Sequence, residues 1–195
     1  MSALSVNERA LRAASVLRRI TYVRVILVPV VMWLVLRDGI AHSTGIAAAL
    51  FAIAAATDFL DGYLARRWAA TTILGGFLDT TADKLLVSGV LIALVAVGRA
   101  SPWVAAIIVG RELLIMGLRG VVAADGTLIA PSIWGKLKAN VQFVAIFLAL
   151  LRPGAPIGPF YPDEWAMWIA AVVTVLSAVE YLARFSNRLT VFRRG

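Results

Sequence analysis

Four aspartates stand in or beside long apolar segments of the chain, at positions 58, 61, 79 and 83. An unpaired charge inside a membrane span costs at least about 2.5–3.5 kcal/mol, so any fold of this chain must neutralise these carboxylates. The residues form the pattern Asp58-x2-Asp61-Gly62-x2-Ala65-Arg66-x8-Gly75-x3-Asp79-x3-Asp83.

The spacing of the aspartates predicts two acidic helix faces. Asp58 and Asp61 are three residues apart and Asp79 and Asp83 four apart, so on helices each pair shares one face. The short link between the pairs predicts antiparallel neighbouring helices whose acidic faces oppose each other. Carboxylate oxygens suit Mg²⁺ or Mn²⁺, and two such ions would balance four negative charges. The structural alternative is that the carboxylates pair with arginines, although few cations lie nearby in the sequence.

Composition identifies the class of protein. The 195 residues are 61% hydrophobic, against about 45–50% in soluble domains, which indicates an all-α integral membrane protein. Six spans of about 20 residues would leave only short loops. The net charge of +8 is concentrated at predicted span ends, where membrane topology and anionic headgroups explain it without a nucleic-acid partner. The chain has no cysteine, so thiolate chemistry is excluded.

Apolar segments and turn residues predict the helices. Residues 1–19 contain the capping-box pattern Ser5-Val-Asn-Glu8 and predict an amphipathic juxtamembrane helix. The alternative is an ordinary polar leader before the first span. We expect no cleavable signal peptide. Residues 20–195 form one membrane domain, and its prolines 153, 156, 159 and 162 predict a structureless connection before the last span. The six predicted spans cover residues 20–36, 43–66, 74–97, 102–122, 134–151 and 164–185.

Charge asymmetry predicts the orientation. If both termini are cytoplasmic, thirteen cations lie inside and three, Arg37, Arg99 and Arg152, outside, as the positive-inside rule requires. The inner cations are Arg9, Arg12, Arg18, Arg19, Arg66, Arg67, Arg119, Lys136, Lys138, Arg184, Arg188, Arg193 and Arg194. The acidic motif then lies near the cytoplasmic surface. His42, the one histidine, falls in an outer loop, where we expect no function.

The complete pattern from Asp58 to Asp83 resembles the signature of the CDP-alcohol phosphatidyltransferase family, with all eight specified residues at the family spacing. The resemblance implies a bacterial inner-membrane enzyme of phospholipid synthesis, whose donor is CDP-diacylglycerol and whose leaving group is CMP. It also implies the site residues. Asp58, Asp61, Asp79 and Asp83 would hold two Mg²⁺ or Mn²⁺ ions, with Asp83 also acting as the general base, and the CDP-lipid would be bound by Gly62, Ala65, Arg66, Thr72 and Gly75.

A second, basic set of residues predicts how the acceptor alcohol binds. Arg111, Arg119, Lys136 and Lys138 lie toward the predicted cytoplasmic end of spans four and five and suit an acceptor phosphate. Pairing of Arg111 with Glu112 or a motif aspartate is the structural alternative. Gly110-Arg111-Glu112, Leu118-Arg119 and Trp134-Gly135-Lys136-Leu-Lys138 resemble the bacterial branch of the family that uses sn-glycerol 3-phosphate.

Two departures from that branch keep other acceptors open. Thr21 and Arg24 match its first-span pattern, but Leu17 and Arg18 stand where the branch commonly has Pro-Asn, and Thr80 stands where it often has proline. Inositol 1-phosphate and phosphatidylglycerol, the latter giving cardiolipin, are therefore alternatives. An alternative of another class is a divalent-cation transporter, although the acids form no polar path across the predicted spans. Small-residue helix faces would permit a homodimer and would equally pack helices within one chain.

Overall fold

The computed structural model describes the backbone of residues 6–37, 42–68, 73–124 and 133–192. It describes the side chains of residues 19–37, 42–57, 77–123, 134–135 and 137–186. Predictions that fall on other residues or side chains lie outside the described structure.

Six helices make up the described backbone. Their bounds are α1 Val6–Leu36, α2 Ser43–Trp68, α3 Ile73–Ala96, α4 Pro102–Ala124, α5 Ile133–Leu151 and α6 Pro162–Phe192. Apart from one isolated bridge between Ile157 and Phe160, the described residues contain no β-structure. The predicted all-α class is thus confirmed.

The first helix is longer than the first predicted span. α1 begins at Val6, where the capping-box pattern predicts a helix start, and continues without interruption through Pro29 to Leu36. The predicted boundary at residue 19 therefore falls inside one helix, because a change from amphipathic to apolar sequence alters the environment of a helix without breaking its backbone. The surface position of residues 1–19 stays a prediction.

The connection before α6 is ordered, contrary to the expectation of a structureless link. The Ile157 N–H donates to the Phe160 carbonyl at 2.8 Å, and the turn between them places Gly158 at a φ of 66°, which glycine adopts without strain. Pro162 is the first residue of α6, a position where its fixed φ suits a helix and its missing N–H is not needed. Glu164 accepts a hydrogen bond from the Tyr161 N–H at 3.0 Å and so caps the helix.

Two helices of the described chain are long and apolar enough to cross a membrane, over residues 19–36 in α1 and 162–186 in α6. Both expose large apolar side chains, among them Ile26 and Trp33 on α1 and Ile169 and Val179 on α6, as expected for helices that face lipid. α3 and α4 each carry three charged residues in their described parts, and these charges keep the two helices out of this set of candidate spans. The number of six spans stays a prediction.

The chain divides into two compact units, Met1–Val97 and Gly98–Gly195. In the first unit, α1 packs extensively against both α2 and α3, and the described parts of α2 and α3 make few contacts with each other. Gly89 of α3 lies at the closest approach to α1, because a Cβ built there would stand 2.7 Å from Val28 Cγ1 and 3.0 Å from Met32 Sδ. Val31, Phe51 and Leu86 fill the interior.

In the second unit, α6 packs against both α4 and α5. Its buried face combines apolar residues with polar ones at helical spacing. The face consists of Asp163, Met167, Ala170, Thr174, Ser177 and Tyr181. Ile108 of α4 and Ile146 of α5 are fully buried within this unit. Polar atoms are therefore present inside the helix packing.

Candidate active site

The first half of the acidic motif lies on the C-terminal part of α2. The backbone of this helix carries Asp58, Asp61, Gly62, Ala65 and Arg66, so the residues predicted to share a helical face do lie on one helix. Their side chains are outside the described structure, as is Thr72. Gly75 belongs to the first turn of α3, and its surroundings are not described. The predicted opposition of the two acidic faces stays a prediction.

The second half of the motif lies on α3, where Asp79 and Asp83 are one turn apart and share a face. Asp79 accepts a hydrogen bond from Arg24 Nη1 at 2.9 Å. Asp83 accepts one from Lys84 Nζ at 2.9 Å. The side chains of Asp79 and Asp83 are 37% and 20% exposed, so each carboxylate is partly accessible while paired with a cation.

Arg24 is the cation that brings α1 into the acidic site. Its side chain is only 2% exposed, and it reaches α3 from a helix 55 residues earlier in the chain. The sequence marks Arg24 through the Thr21-x-x-Arg24 pattern but indicates no partner for it. The sequence motif does not mark Lys84, which directly follows Asp83. Helix α1 therefore contacts the acidic residue Asp79 of α3 through Arg24.

The two carboxylates on α3 suit a divalent cation. Asp79 and Asp83 offer carboxylate oxygens on one helix face, partly exposed, and hard oxygen donors are what Mg²⁺ and Mn²⁺ require. Within the described side chains no three histidine, cysteine or acidic residues come together as a ligand group. A complete set would therefore need the α2 aspartates, Asp58 and Asp61, as the motif predicts.

The predicted acceptor residues lie on α4 and α5 of the second unit. Arg111 and Arg119 belong to α4, and Lys136 and Lys138 to α5; the side chain of Lys136 is not described. Glu112 accepts hydrogen bonds from Lys138 Nζ and, at 3.3 Å, from Arg111 Nη1. The Glu112 and Lys138 side chains are 2% and 4% exposed. The pairing of Arg111 with Glu112, the structural alternative to phosphate binding, is thus present, in a buried group of two cations and one anion.

Helix α6 contributes contacts to Arg111 and Arg119 from residues that the sequence motifs do not mark. Ser177 Oγ accepts a hydrogen bond from Arg111 Nη2 at 2.7 Å, and the Arg119 guanidinium lies over the Tyr181 ring, 5.8 Å from its centroid. One turn earlier, Gln142 Nε2 donates to Thr174 Oγ1 at 2.8 Å. The sequence signal for these residues is the 3–4 spacing of Thr174, Ser177 and Tyr181 in α6, because it places polar groups on one helix face.

Comparison with known proteins supports a single family. The sequence model of the CDP-alcohol phosphatidyltransferase family matches residues 18–176. A Bacillus subtilis (strain 168) CDP-diacylglycerol–glycerol-3-phosphate 3-phosphatidyltransferase is 39% identical over 181 residues, which cover 85% of this chain and 92% of that protein. The Escherichia coli (strain K12) protein of the same name is 40% identical over 169 residues, covering 84% of this chain and 91% of the relative. With the complete aspartate motif on two consecutive helices, the chain belongs to the CDP-alcohol phosphatidyltransferase family.

Proposed function

We propose that this protein transfers the phosphatidyl group of CDP-diacylglycerol to a hydroxyl of sn-glycerol 3-phosphate, releasing CMP and forming phosphatidylglycerophosphate. The observation that carries the proposal is the near full-length similarity, at 39% and 40% identity, to two relatives named for this reaction. The aspartate motif supplies the residues for the transfer, and the buried cations of the second unit suit a phosphorylated acceptor.

The acidic residues would bind the metal and the donor. Asp58, Asp61, Asp79 and Asp83 would hold Mg²⁺ or Mn²⁺, two ions in the full site. Such ions would supply positive charge that holds the diphosphate of the donor and offsets the charge developing on the leaving phosphate. The CDP group would lie against the small residues Gly62, Ala65 and Gly75, with Arg66 and Thr72 as its polar partners. Small side chains there would allow a nucleotide to approach the helix backbone.

Asp83 would act on the acceptor hydroxyl. The oxygen of that hydroxyl forms a new bond to the phosphorus next to the lipid, while the bond from this phosphorus to the CMP oxygen breaks. CMP leaves with the bonding electron pair, and the hydroxyl proton passes to the Asp83 carboxylate. A carboxylate can accept this proton when it lies within hydrogen-bond reach. Lys84, bonded to Asp83 Oδ2 at 2.9 Å, limits the rotation of that carboxylate.

The acceptor phosphate would bind the basic residues of the second unit. Lys138 and Arg111 share Glu112, so this group keeps one net positive charge, to which Arg119 adds a second on the same helix. Lys136 would join them from α5. A phosphate on the acceptor would add negative charge beside this net positive group, and for that reason we favour a phosphorylated acceptor.

The apolar helices and the uneven distribution of cations support a location of the reaction at the membrane. We infer a multi-pass protein of the bacterial plasma membrane, with six spans and with both termini and the acidic site on the cytoplasmic side. Water-soluble glycerol 3-phosphate would then meet CDP-diacylglycerol at the membrane surface. A homodimer is compatible with the exposed apolar helix faces.

The test is an acceptor panel with purified protein in detergent and lipid. Glycerol 3-phosphate, inositol 1-phosphate and phosphatidylglycerol are offered separately with CDP-diacylglycerol and Mg²⁺, and CMP release and the lipid product are measured. We expect release with glycerol 3-phosphate alone, and its loss in Asp83→Asn and on metal chelation. Release with another acceptor would replace the proposed substrate, and no release with any of them would contradict the proposed reaction.

A further inference from the structure

Two residues of α6 contact the two arginines of α4 that are proposed to bind the acceptor phosphate. Ser177 contacts Arg111 and Tyr181 contacts Arg119. Ser177 and Tyr181 are four residues apart on the buried face of α6, with 1% and 6% exposure. Residues at this spacing lie above one another on one helix face, so one rigid surface supports both arginines.

Arg111 is held at both terminal nitrogens of its guanidinium. Nη2 donates to Ser177 Oγ at 2.7 Å and Nη1 to Glu112 Oε1 at 3.3 Å. Its Nε is buried and has no hydrogen-bond partner among the described residues. A planar guanidinium fixed at two points cannot rotate freely, so the direction of its remaining donors is set before a ligand arrives.

Arg119 is held by a ring face. Its guanidinium carbon lies 5.8 Å from the Tyr181 ring centroid, within the range of a cation–π contact. The Arg119 side chain is exposed while Tyr181 is buried. The ring therefore supports an otherwise mobile cation and leaves its hydrogen-bond donors accessible.

We propose that Ser177 and Tyr181 are positioning residues that fix Arg111 and Arg119 for the phosphate of the acceptor, and so select phosphorylated alcohols. The inference rests on the proposed function, because it concerns the same acceptor site. It predicts that a change at either residue alters the use of glycerol 3-phosphate and leaves the use of the CDP-lipid unchanged.

The test compares a ring-removing and a ring-conserving variant. Tyr181→Leu should raise KM for glycerol 3-phosphate about three- to fivefold, the size of an exposed cation–π contact, with kcat and KM for CDP-diacylglycerol unchanged. Tyr181→Phe, which keeps the ring face, should restore the wild-type KM. Ser177→Ala should raise the same KM about tenfold, since a hydrogen bond to a charged group is lost, and Ser177→Thr should recover it.

The control is Thr174→Val, one turn away on the same face of α6, which removes a buried hydrogen bond to Gln142 that involves no arginine. It should lower thermal stability without changing KM for glycerol 3-phosphate. Equal KM values in the wild type, Tyr181→Leu and Ser177→Ala would overturn the inference, as would an equal loss in Tyr181→Phe and Tyr181→Leu. The wild-type protein shows separately whether glycerol 3-phosphate is a substrate, so failure of the proposed function is distinguishable.

Discussion

Arg24 on α1 donates to Asp79 on α3 at 2.9 Å, and the arginine is 2% exposed while the aspartate is 37% exposed. A buried guanidinium thus contacts a carboxylate that is proposed to bind metal. The pair joins the first helix to the acidic site and offsets part of the negative charge there. Asp79 therefore has a role in helix packing and a proposed role in metal binding, and experiment can separate the two.

Asp79→Asn should lower both stability and activity, because it removes the charge that faces buried Arg24. Breaking a buried pair from one side costs about 3–5 kcal/mol; with Asp79 partly exposed to solvent, we expect about 1–3 kcal/mol. Denaturant unfolding in detergent measures the change. Asp83→Asn is the matched variant, because its partner Lys84 is 24% exposed. This variant should abolish CMP release and lower the free energy of unfolding by less than about 1 kcal/mol. Equal destabilisation by the two changes would contradict the packing role.

Glu112→Ala should be among the most destabilising changes in the second unit. The Lys138 and Arg111 side chains, 4% and 11% exposed, would lose their shared carboxylate and face each other as like charges. We expect a loss of about 3–5 kcal/mol in the free energy of unfolding, and a smaller loss for Glu112→Gln, whose amide oxygen can still accept a hydrogen bond.

The control for this prediction is Glu180→Gln, which removes one partner of the Arg184–Glu180 pair on a helix surface. Exposed pairs contribute about 0–1 kcal/mol, so this change should be nearly neutral. A Glu112→Ala variant as stable as Glu180→Gln would show that the buried group of charges does not stabilise the unit.

The sequence predicts the helices well and the contacts between them poorly. Helices α2 to α5 start and end within two residues of the predicted spans, because long apolar segments and turn residues act locally. The Arg24–Asp79 pair joins residues 55 apart, and it depends on α1 packing against α3, which no local pattern specifies. The α6 contacts with Arg111 and Arg119 were missed for the same reason. The roles of the α2 aspartates stay predictions, since their side chains lie outside the described structure.

Gly89→Leu should weaken the packing of α1 against α3. Even a Cβ at this position would lie 2.7 Å from Val28 Cγ1 and 3.0 Å from Met32 Sδ, closer than van der Waals contact allows. Overpacking of this kind costs about 1–3 kcal/mol, which thermal unfolding in detergent would detect. In Gly45→Ala the added methyl meets no described atom within 4 Å apart from its chain neighbours and its own helix backbone, so this variant should be as stable as the wild type or slightly more stable. An unchanged unfolding temperature in Gly89→Leu would exclude close α1–α3 packing at this point.

The acidic and basic residues should affect different kinetic constants. Asp58→Asn removes a proposed metal ligand and should weaken Mn²⁺ binding, measured by electron paramagnetic resonance, and lower kcat at least about 100-fold with every acceptor. Arg119→Gln should leave Mn²⁺ binding and KM for CDP-diacylglycerol unchanged and raise KM for glycerol 3-phosphate about tenfold, because one charge-assisted phosphate contact is lost. The two variants thus form a pair in which each serves as the control for the other. Weaker Mn²⁺ binding in Arg119→Gln, or a normal kcat in Asp58→Asn, would contradict this division between metal binding and acceptor binding.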